Sequence, residues 1–165
     1  MNRSLRFVAL WWLLAGCSRQ EPPALTVTVV DQAAANREKF FGDAAKDPAI
    51  EWRSSGLGIK VLVPGEGAAP KLTDTVRVHY RGRLKDGKVF DDSHPRGKPS
   101  DFVVNRLVTG LAAGIPSLKP GGKAVFFIPP SLGYGGMRAG DIPPLSGLIF
   151  EVELLAVNPE EPPKS

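Results

Sequence analysis

Apolar and polar residues alternate in several short runs from residue 54 onward. Four such runs predict strands, at residues 57–63, 75–80, 124–128 and 148–155. In the second run Val76, Val78 and Tyr80 share one face, and the fourth run directs Glu151 and Glu153 outward from its apolar side. These patterns predict a sheet with one face in the core.

Turn and helix signals connect these runs. The sequence Lys-Asp-Gly-Lys at 85–88 predicts a tight hairpin between two strands. Only residues 109–115 are typical of a helix inside this part of the chain. A longer helix is expected upstream, begun by Asp31 as its N-cap, running to about Lys46 and stopped before Pro48. The fold class is therefore predicted as α+β: an antiparallel sheet folded over one short helix and preceded by an N-terminal helix.

The length of 165 residues suits one domain of ordinary size, and 18 Gly with 16 Pro indicate a loop-rich globular domain. The predicted organisation is a leader at 1–16, a tether at 17–30, the N-terminal helix at 31–48, the main domain at 52–158 and a flexible tail at 159–165. Phe40 and Phe41, near the end of the N-terminal helix, are expected to pack on the domain or on a second copy.

The first seventeen residues have the features of an export signal. Two arginines precede an apolar run at 7–14, which is too short to cross a bilayer because a spanning helix needs about 20 residues. The ending Leu-Ala-Gly-Cys resembles the lipobox of bacterial lipoproteins, which implies lipidation of Cys17 and anchorage in the cell envelope. Ser18 implies, by the same resemblance, the periplasmic face of the outer membrane. The alternative is an ordinary signal peptide that contains a cysteine.

The net charge of +4 raises the question of a nucleic acid partner. Two of the cations lie in the predicted leader, so the mature chain would carry +2. The basic stretch at 71–98 also holds four aspartates and lacks an interleaved aromatic and basic pattern, so we expect no nucleic acid partner. One Cys and two His leave little for a metal centre; His79 and His94 are expected at the surface, with no metal and no cofactor.

Common catalytic motifs are absent: there is no G-x-S-x-G, P-loop or H-E-x-x-H. The aromatic residues are more informative, because several lie in predicted strands and Tyr134 lies in the long Gly-rich loop at 131–147. Loops of this length are often functional. From the residue pattern alone, these aromatic side chains fit either a small β core or a binding surface.

Six groups of residues then follow one another: V-H-Y-R-G at 78–82, D-G-K-V-F-D-D-S at 86–93, L-K-P-G-G-K with F-I-P-P between 118 and 130, L-G-Y-G at 132–135, I-P-P at 142–144 and L-I-F-E-V-E-L-L at 148–155. In order and spacing they resemble the FKBP-type peptidyl-prolyl cis-trans isomerases. The resemblance extends from about residue 54 to 157, and its start resembles the bacterial envelope branch of that family.

This resemblance implies a half-barrel antiparallel sheet around a short helix, with a shallow apolar pocket between them. The residues expected to carry catalysis are Tyr80, Phe90, Asp91 and Tyr134. Those expected to contact substrate are Phe102, Leu107, Val108, Leu111, Ile142 and Phe150. The Tyr134 hydroxyl and the backbone N–H of Ile142 are the implied donors to the substrate carbonyl.

Three positions depart from the family pattern. Leu111 stands where the family usually has a Trp at the pocket floor, so macrolide ligands are expected to bind but weakly. Pro116 follows the start of the short helix closely and predicts a shorter helix. Ser100 stands where some members carry an aromatic residue.

The resemblance implies isomerisation of X–Pro bonds in unfolded or partly folded envelope proteins that contain proline. The membrane would be contacted through the lipid anchor. Two alternatives stay open at this point. One is a weakly active or inactive chaperone or binding module for proline-containing segments. The other is a structural lipoprotein that uses the domain only for docking.

Overall fold

The computed structural model describes residues 25–160, and side-chain surroundings from residue 32 onward. Cys17 and the predicted leader lie outside the described residues. The strands are β1 (Glu51–Trp52), β2 (Gly58–Val63), β3 (Thr75–Arg83), β4 (Val89–Asp92), β5 (Ser100–Val103), β6 (Lys123–Ile128) and β7 (Leu148–Val157). The α-helices are α1 (Leu25–Phe41) and α2 (Thr109–Gly114), and 3-10 turns span Gly42–Lys46, Val104–Arg106, Ile115–Ser117 and Pro130–Leu132.

All strand pairs are antiparallel, and the sheet has the order β1-β2-β6-β7-β3-β4. Strand β5 pairs with the first half of β3, and β4 pairs with the second half of β3 along the same edge. The open antiparallel sheet with one short helix confirms the predicted α+β class. β1 and β5 are short strands that no run of alternation indicated.

The inner face of the sheet, defined as the face that carries α2, holds the main core. Val76, Val78 and Tyr80 are buried there, as their alternation in β3 predicts. In β7 Phe150 and Val152 join the same core, and the intervening glutamates are on the other face. Every second residue of a strand points to the same side, so the apolar side chains of these strands share one face and are buried together.

Two glycines allow α2 to lie directly on β6. A Cβ added at Gly110 would come within 2.5 Å of the Ile128 side chain, and one at Gly114 within 2.6 Å of the Phe126 ring. Because the two glycines are four residues apart, they share one side of the helix. This side rests on the sheet, and Leu111 is left to face the space beside it.

The outer face is covered by the end of α1. Phe41 packs against Phe127 and Trp52, with ring centroids 5.6 Å apart in both pairs. Ile50 and Ile149 complete a second buried cluster. Phe41 therefore packs on the domain, which is one of the two outcomes expected from the sequence.

The N-terminal helix differs from its predicted bounds. It already includes Leu25, so Asp31 lies inside α1 and is not its N-cap. Residues 25–30, predicted as tether, extend the helix because adding residues to an existing helix costs less than starting one. The α-helix ends at Phe41, where Gly42 adopts a φ of +60°, and a 3-10 turn continues to Lys46.

The basic stretch at 71–98 is largely paired with carboxylates. Arg77 binds Asp101 at 2.7 Å and Arg81 binds Asp92 at 2.7 Å. Among the described residues, no helix has the length and apolar character that a bilayer-spanning segment needs. Within the same residues, no cluster of three or more His, Cys, Asp or Glu side chains could hold a metal ion.

Candidate active site

A cavity of about 220 Å³ opens on the inner face, between α2 and the sheet. Strands β3 and β7 contribute alternate inward side chains to its wall, and the turn before α2 and the Gly-rich loop form its rim. The lining residues are Val78, Tyr80, Asp91, Phe102, Arg106, Leu107, Val108, Leu111, Ile115, Tyr134, Phe150 and Val152.

Eight of the ten residues expected in the pocket line this cavity. The other two lie beside it. Phe90 packs edge-on against Phe150, with ring centroids 5.5 Å apart, and its ring occupies the space next to Gly82. Ile142 is buried in the main core under the Gly-rich loop.

A polar network crosses one edge of the pocket. The Tyr80 hydroxyl donates to Asp91 Oδ2 at 2.6 Å, and Arg96 donates to Asp91 Oδ1 at 2.8 Å. Arg96 also donates to the Tyr80 hydroxyl oxygen at 3.0 Å. The three side chains therefore hold one another in a closed triangle, with Asp91 accepting twice.

The network fixes the charge state of its members. Burial pushes the pKa of Asp91 upward, but the hydrogen bonds from Tyr80 and Arg96 outweigh it, so the pKa of Asp91 lies below its ordinary value. Burial, and then the Asp91 carboxylate, raise the pKa of Tyr80, against the opposing effect of Arg96. At neutral pH Asp91 is therefore ionised and Tyr80 keeps its proton.

Ser93 ties the strand that carries Tyr80 to the segment that carries Asp91. It is fully buried, and its Oγ accepts from the Tyr80 backbone N–H at 2.8 Å and donates to the Tyr80 carbonyl at 3.2 Å. The Ser93 backbone N–H donates to the same carbonyl at 2.9 Å. A buried side chain with this many bonds is a rigid support for the network.

The structure shows where the three residues that depart from the family pattern lie. Leu111 is almost buried and lines the pocket, as expected for the residue at its floor. The α-helix ends at Gly114, two residues before Pro116, and continues only as a 3-10 turn. Ser100 opens β5 on the side of β3 away from β7.

The two implied donors differ in availability. The Ile142 backbone N–H donates to the Ala139 carbonyl at 2.9 Å, and Ala139 donates back at 3.1 Å, so this N–H is used within the loop. Tyr134 lines the cavity, and its hydroxyl has no hydrogen-bond partner among the described residues. The geometry therefore leaves Tyr134 as the accessible donor of the two.

Comparison with known proteins shows which family the chain belongs to. Residues 66–155, more than half of the chain, match the model of the FKBP-type peptidyl-prolyl cis-trans isomerases. The chain belongs to this FKBP-type family.

Individual relatives extend the match. A probable FKBP-type peptidyl-prolyl cis-trans isomerase of Haemophilus influenzae is 45% identical over 134 residues, which cover 81% of this chain and 56% of the relative. The crystal structure of FkpA from Escherichia coli has a TM-score of 0.70 at 41% identity, over 81% of this chain and 61% of that one. A peptidyl-prolyl isomerase structure from Pseudomonas syringae has a TM-score of 0.67 at 32% identity, covering 79% and 96%.

The chain spans about half the length of the curated relatives that it matches. The shared part is the FKBP-type domain together with the segment before it.

Five further residues line this pocket or join its network and are not among those expected from the sequence. Val78 and Val152 are pocket-facing strand residues, which their alternation with Tyr80 and Phe150 could have indicated. Arg106 and Ile115 lie on either side of α2, and Arg96 completes the network from a loop. No local pattern marks these last three, because only the tertiary fold brings them to the pocket.

Proposed function

We propose that this chain is a peptidyl-prolyl cis-trans isomerase that accelerates rotation about X–Pro bonds in the pocket on the inner face. The observation that carries the proposal is the small apolar cavity, lined by aromatic side chains and bordered by the Tyr80, Asp91 and Arg96 network. The family supports the same reaction.

The chemistry requires no nucleophile and no acid–base pair. Rotation about an X–Pro bond crosses a barrier of about 18–20 kcal/mol because it breaks amide conjugation. The twisted amide separates less charge than the planar one, so a dry apolar surface favours it over the ground state. An acceleration of ~10⁴ needs only about 5.5 kcal/mol of such preference.

Different pocket residues would have different roles in this reaction. The rings of Phe102 and Phe150 and the side chain of Leu111 supply the apolar surface for the proline ring. Tyr134 is the donor to a carbonyl of the bound peptide. The ionised Asp91, held by Arg96, keeps Tyr80 in one orientation at the pocket edge.

Isomerisation kinetics of a short X–Pro peptide, measured without a coupling protease, test the proposal. The purified chain without its leader should accelerate the reaction in proportion to enzyme concentration. Val108→Glu would place a charge in the pocket wall and should abolish the acceleration, whereas Leu72→Glu, at an exposed position that does not line the pocket, should not. Equal activity of both variants would place the reaction elsewhere.

A second candidate function follows from Leu111. A floor smaller than Trp provides less apolar contact, so the pocket could bind proline-containing segments without fast isomerisation. In that case the chain would act as a chaperone or binding module. Saturable binding of an X–Pro peptide without any acceleration would favour this function over catalysis.

We further propose that the chain is an envelope lipoprotein, anchored through Cys17 at the periplasmic face of the outer membrane. Its clients are then unfolded or partly folded envelope proteins that contain proline. The Leu-Ala-Gly-Cys sequence supports the anchor. Two or three acyl chains, at ~0.8 kcal/mol for each buried CH₂, hold a domain durably at a bilayer.

Intact-mass analysis of the membrane fraction tests the anchor. The mature chain should begin at an acylated Cys17, and Cys17→Ser should release it or leave its leader uncleaved. An unmodified thiol at Cys17 in the mature chain would contradict the proposal.

A further inference from the structure

A second cavity, the α1 groove, lies between α1 and the loops at 53–56, 129–135 and 145. Its volume is about 500 Å³, more than twice that of the pocket beside α2, and the two share no lining residue. Ligand sites in proteins commonly fall in the range of about 300–1,000 Å³. The groove is therefore large enough to be a binding site of its own.

Two arginines line the α1 groove, and no Asp or Glu does. The Arg53 guanidinium donates only to neutral oxygens, at 2.8 Å to the Ala113 carbonyl and 2.8 Å to Ser117 Oγ. Arg37 lies over the Trp52 ring, 4.9 Å from its centroid. Neither arginine has a carboxylate partner within residues 32–160, so the groove wall carries two uncompensated positive charges.

Arg37 also has a buried nitrogen without a partner. Its Nε is shielded from solvent, and no described residue accepts a hydrogen bond from it. Buried donors in native proteins are almost always bonded, and a charged donor left unbonded is costly.

The apolar side of the groove contains a residue held in an unusual backbone conformation. Leu145 has a φ of +56°, and its backbone N–H donates to the Gly135 carbonyl at 2.8 Å. Bulky residues rarely adopt this conformation, and such positions are frequently functional. The Leu145 side chain is 66% exposed, near the ring of Phe40 and the Pro130 ring in the groove lining.

We propose that the α1 groove binds a second segment of a non-native polypeptide, one in which an acidic side chain is next to apolar residues. The two arginines match the carboxylate, and Leu145, Phe40 and Pro130 match the apolar part. The exposed hydroxyls of Ser54, Ser55 and Ser131 are available to the peptide backbone.

The position of the groove gives this binding a role in isomerisation. Tyr134 lines the pocket and the next residue, Gly135, lines the α1 groove, so one loop borders both sites. A client held in the groove would present its neighbouring prolines to the pocket at high effective concentration. This role rests on the proposed function, whereas binding in the groove does not.

Fluorescence anisotropy of the full mature chain tests the groove. The probe is a labelled ten-residue peptide without proline that combines leucine, valine and glutamate, and the matched peptide has lysine in place of glutamate. We expect the acidic peptide to bind at least about fivefold more tightly than the basic one. Equal affinities would overturn the proposal.

Two variants locate the binding. Arg37→Gln removes the charge, and Leu145→Asn removes the apolar side chain with a residue that tolerates positive φ. Each should lower the affinity for the acidic peptide about fivefold. Lys71→Gln, which removes an exposed cation outside the groove, should leave that affinity unchanged. Near-ultraviolet circular dichroism checks that each variant is folded. Wild-type affinity in both groove variants would overturn the proposal.

Further measurements separate the groove from the pocket and from other occupants. A short X–Pro peptide in excess should not displace the acidic probe, and Arg37→Gln should isomerise that short peptide at the wild-type rate. If the chain does not accelerate isomerisation but the groove variants still bind the acidic probe more weakly, the proposed function is wrong and the proposal that the α1 groove binds a peptide is retained. Sedimentation that shows a dimer lost in Arg37→Gln would instead assign the groove to a second copy and overturn the proposal, as would displacement of the probe by stoichiometric oleate.

Discussion

The two faces of the sheet are covered by helices that contact it through very different residues. On the inner face α2 has glycines where it meets Ile128 and Phe126, so the helix lies directly on the strand. On the outer face, ring-on-ring contacts such as Phe41 on Phe127 separate α1 from the sheet. The pocket beside α2 has a volume of about 220 Å³, and the groove beside α1 has a volume of about 500 Å³. The two helices therefore contact the sheet through residues of very different size, and the cavities beside them differ in volume.

The faces also differ in what supports their sites. The inner pocket has a closed network of Tyr80, Asp91 and Arg96, in which every charge has a partner. The α1 groove has two arginines without a carboxylate partner within residues 32–160, and an exposed leucine. The first arrangement is preorganised for one geometry, while the second can accept varied chains. The following predictions test this separation.

The largest effect is expected from removing the two adjacent rings in β6. Phe126→Ala empties the inner core, and Phe127→Ala empties the outer cluster. Each should lower the free energy of unfolding by about 3–5 kcal/mol, as measured by urea denaturation. Only Phe126→Ala should also lose most isomerase activity under folding conditions, because Phe126 supports Gly114 of α2. Equal loss of activity in both variants would contradict the separation of the two faces.

The sequence predicts the inner face far better than the outer one. Val76, Val78 and Tyr80 alternate with polar residues, so their common direction follows from the strand period. Phe127 and Ile149 occupy the outward positions of their strands, where the pattern favours polar residues. Their burial depends on α1, which contacts them from far away in sequence.

The same reason limits prediction of the two sites. The motif resemblance gives eight residues that line the pocket, because the family preserves their order along the chain. Arg96 and Arg106 lie in irregular and 3-10 segments, which have no hydrophobic periodicity to mark them. Arg37 and Arg53 line one groove only because α1 packs against the domain. The helix at residues 25–30 is not predicted, because a run rich in Val and Thr has weak helix propensity.

The second largest effect concerns the network at the pocket edge. Asp91→Asn should lower kcat/KM for an X–Pro peptide by about 10- to 100-fold, because hydrogen bonds to a charged group contribute about 1.5–3 kcal/mol. The matched control is Asp101→Asn, in which the carboxylate binds Arg77 by two hydrogen bonds outside the pocket. The control should retain activity within about twofold. Similar losses in both variants would indicate a general effect on stability.

A smaller effect is expected at the pocket floor. Leu111→Trp should tighten binding of a rapamycin-like macrolide roughly tenfold, since ~50 Å² of added apolar contact at ~25 cal/mol per Å² is about 1.3 kcal/mol. The side of α2 that carries Leu111 faces the cavity, while Gly110 and Gly114 face the sheet, so the larger ring extends into open space. Calorimetry of the wild type, of this variant and of Leu72→Trp as a surface control measures the change. An unchanged affinity would mean that residue 111 is not under the ligand.

The smallest effect comes from charge at the rim. Asp91 and Arg106 are the charged residues that line the pocket, and Arg96 already neutralises Asp91. Arg106 has no ion pair among the described residues, so the rim carries one unbalanced positive charge. Because Arg106 is exposed, an acidic residue before the proline should raise kcat/KM only about two- to fivefold over a basic one.

Arg106→Gln should remove this preference, and Lys71→Gln should keep it. The preference should also shrink when the salt concentration rises from 0.05 to about 1 M, because the Debye length falls to ~3 Å at 1 M. Isomerisation kinetics on two peptides that differ only in Glu or Lys before the proline measure both effects. A preference that survives in Arg106→Gln would originate in the α1 groove or elsewhere outside the pocket.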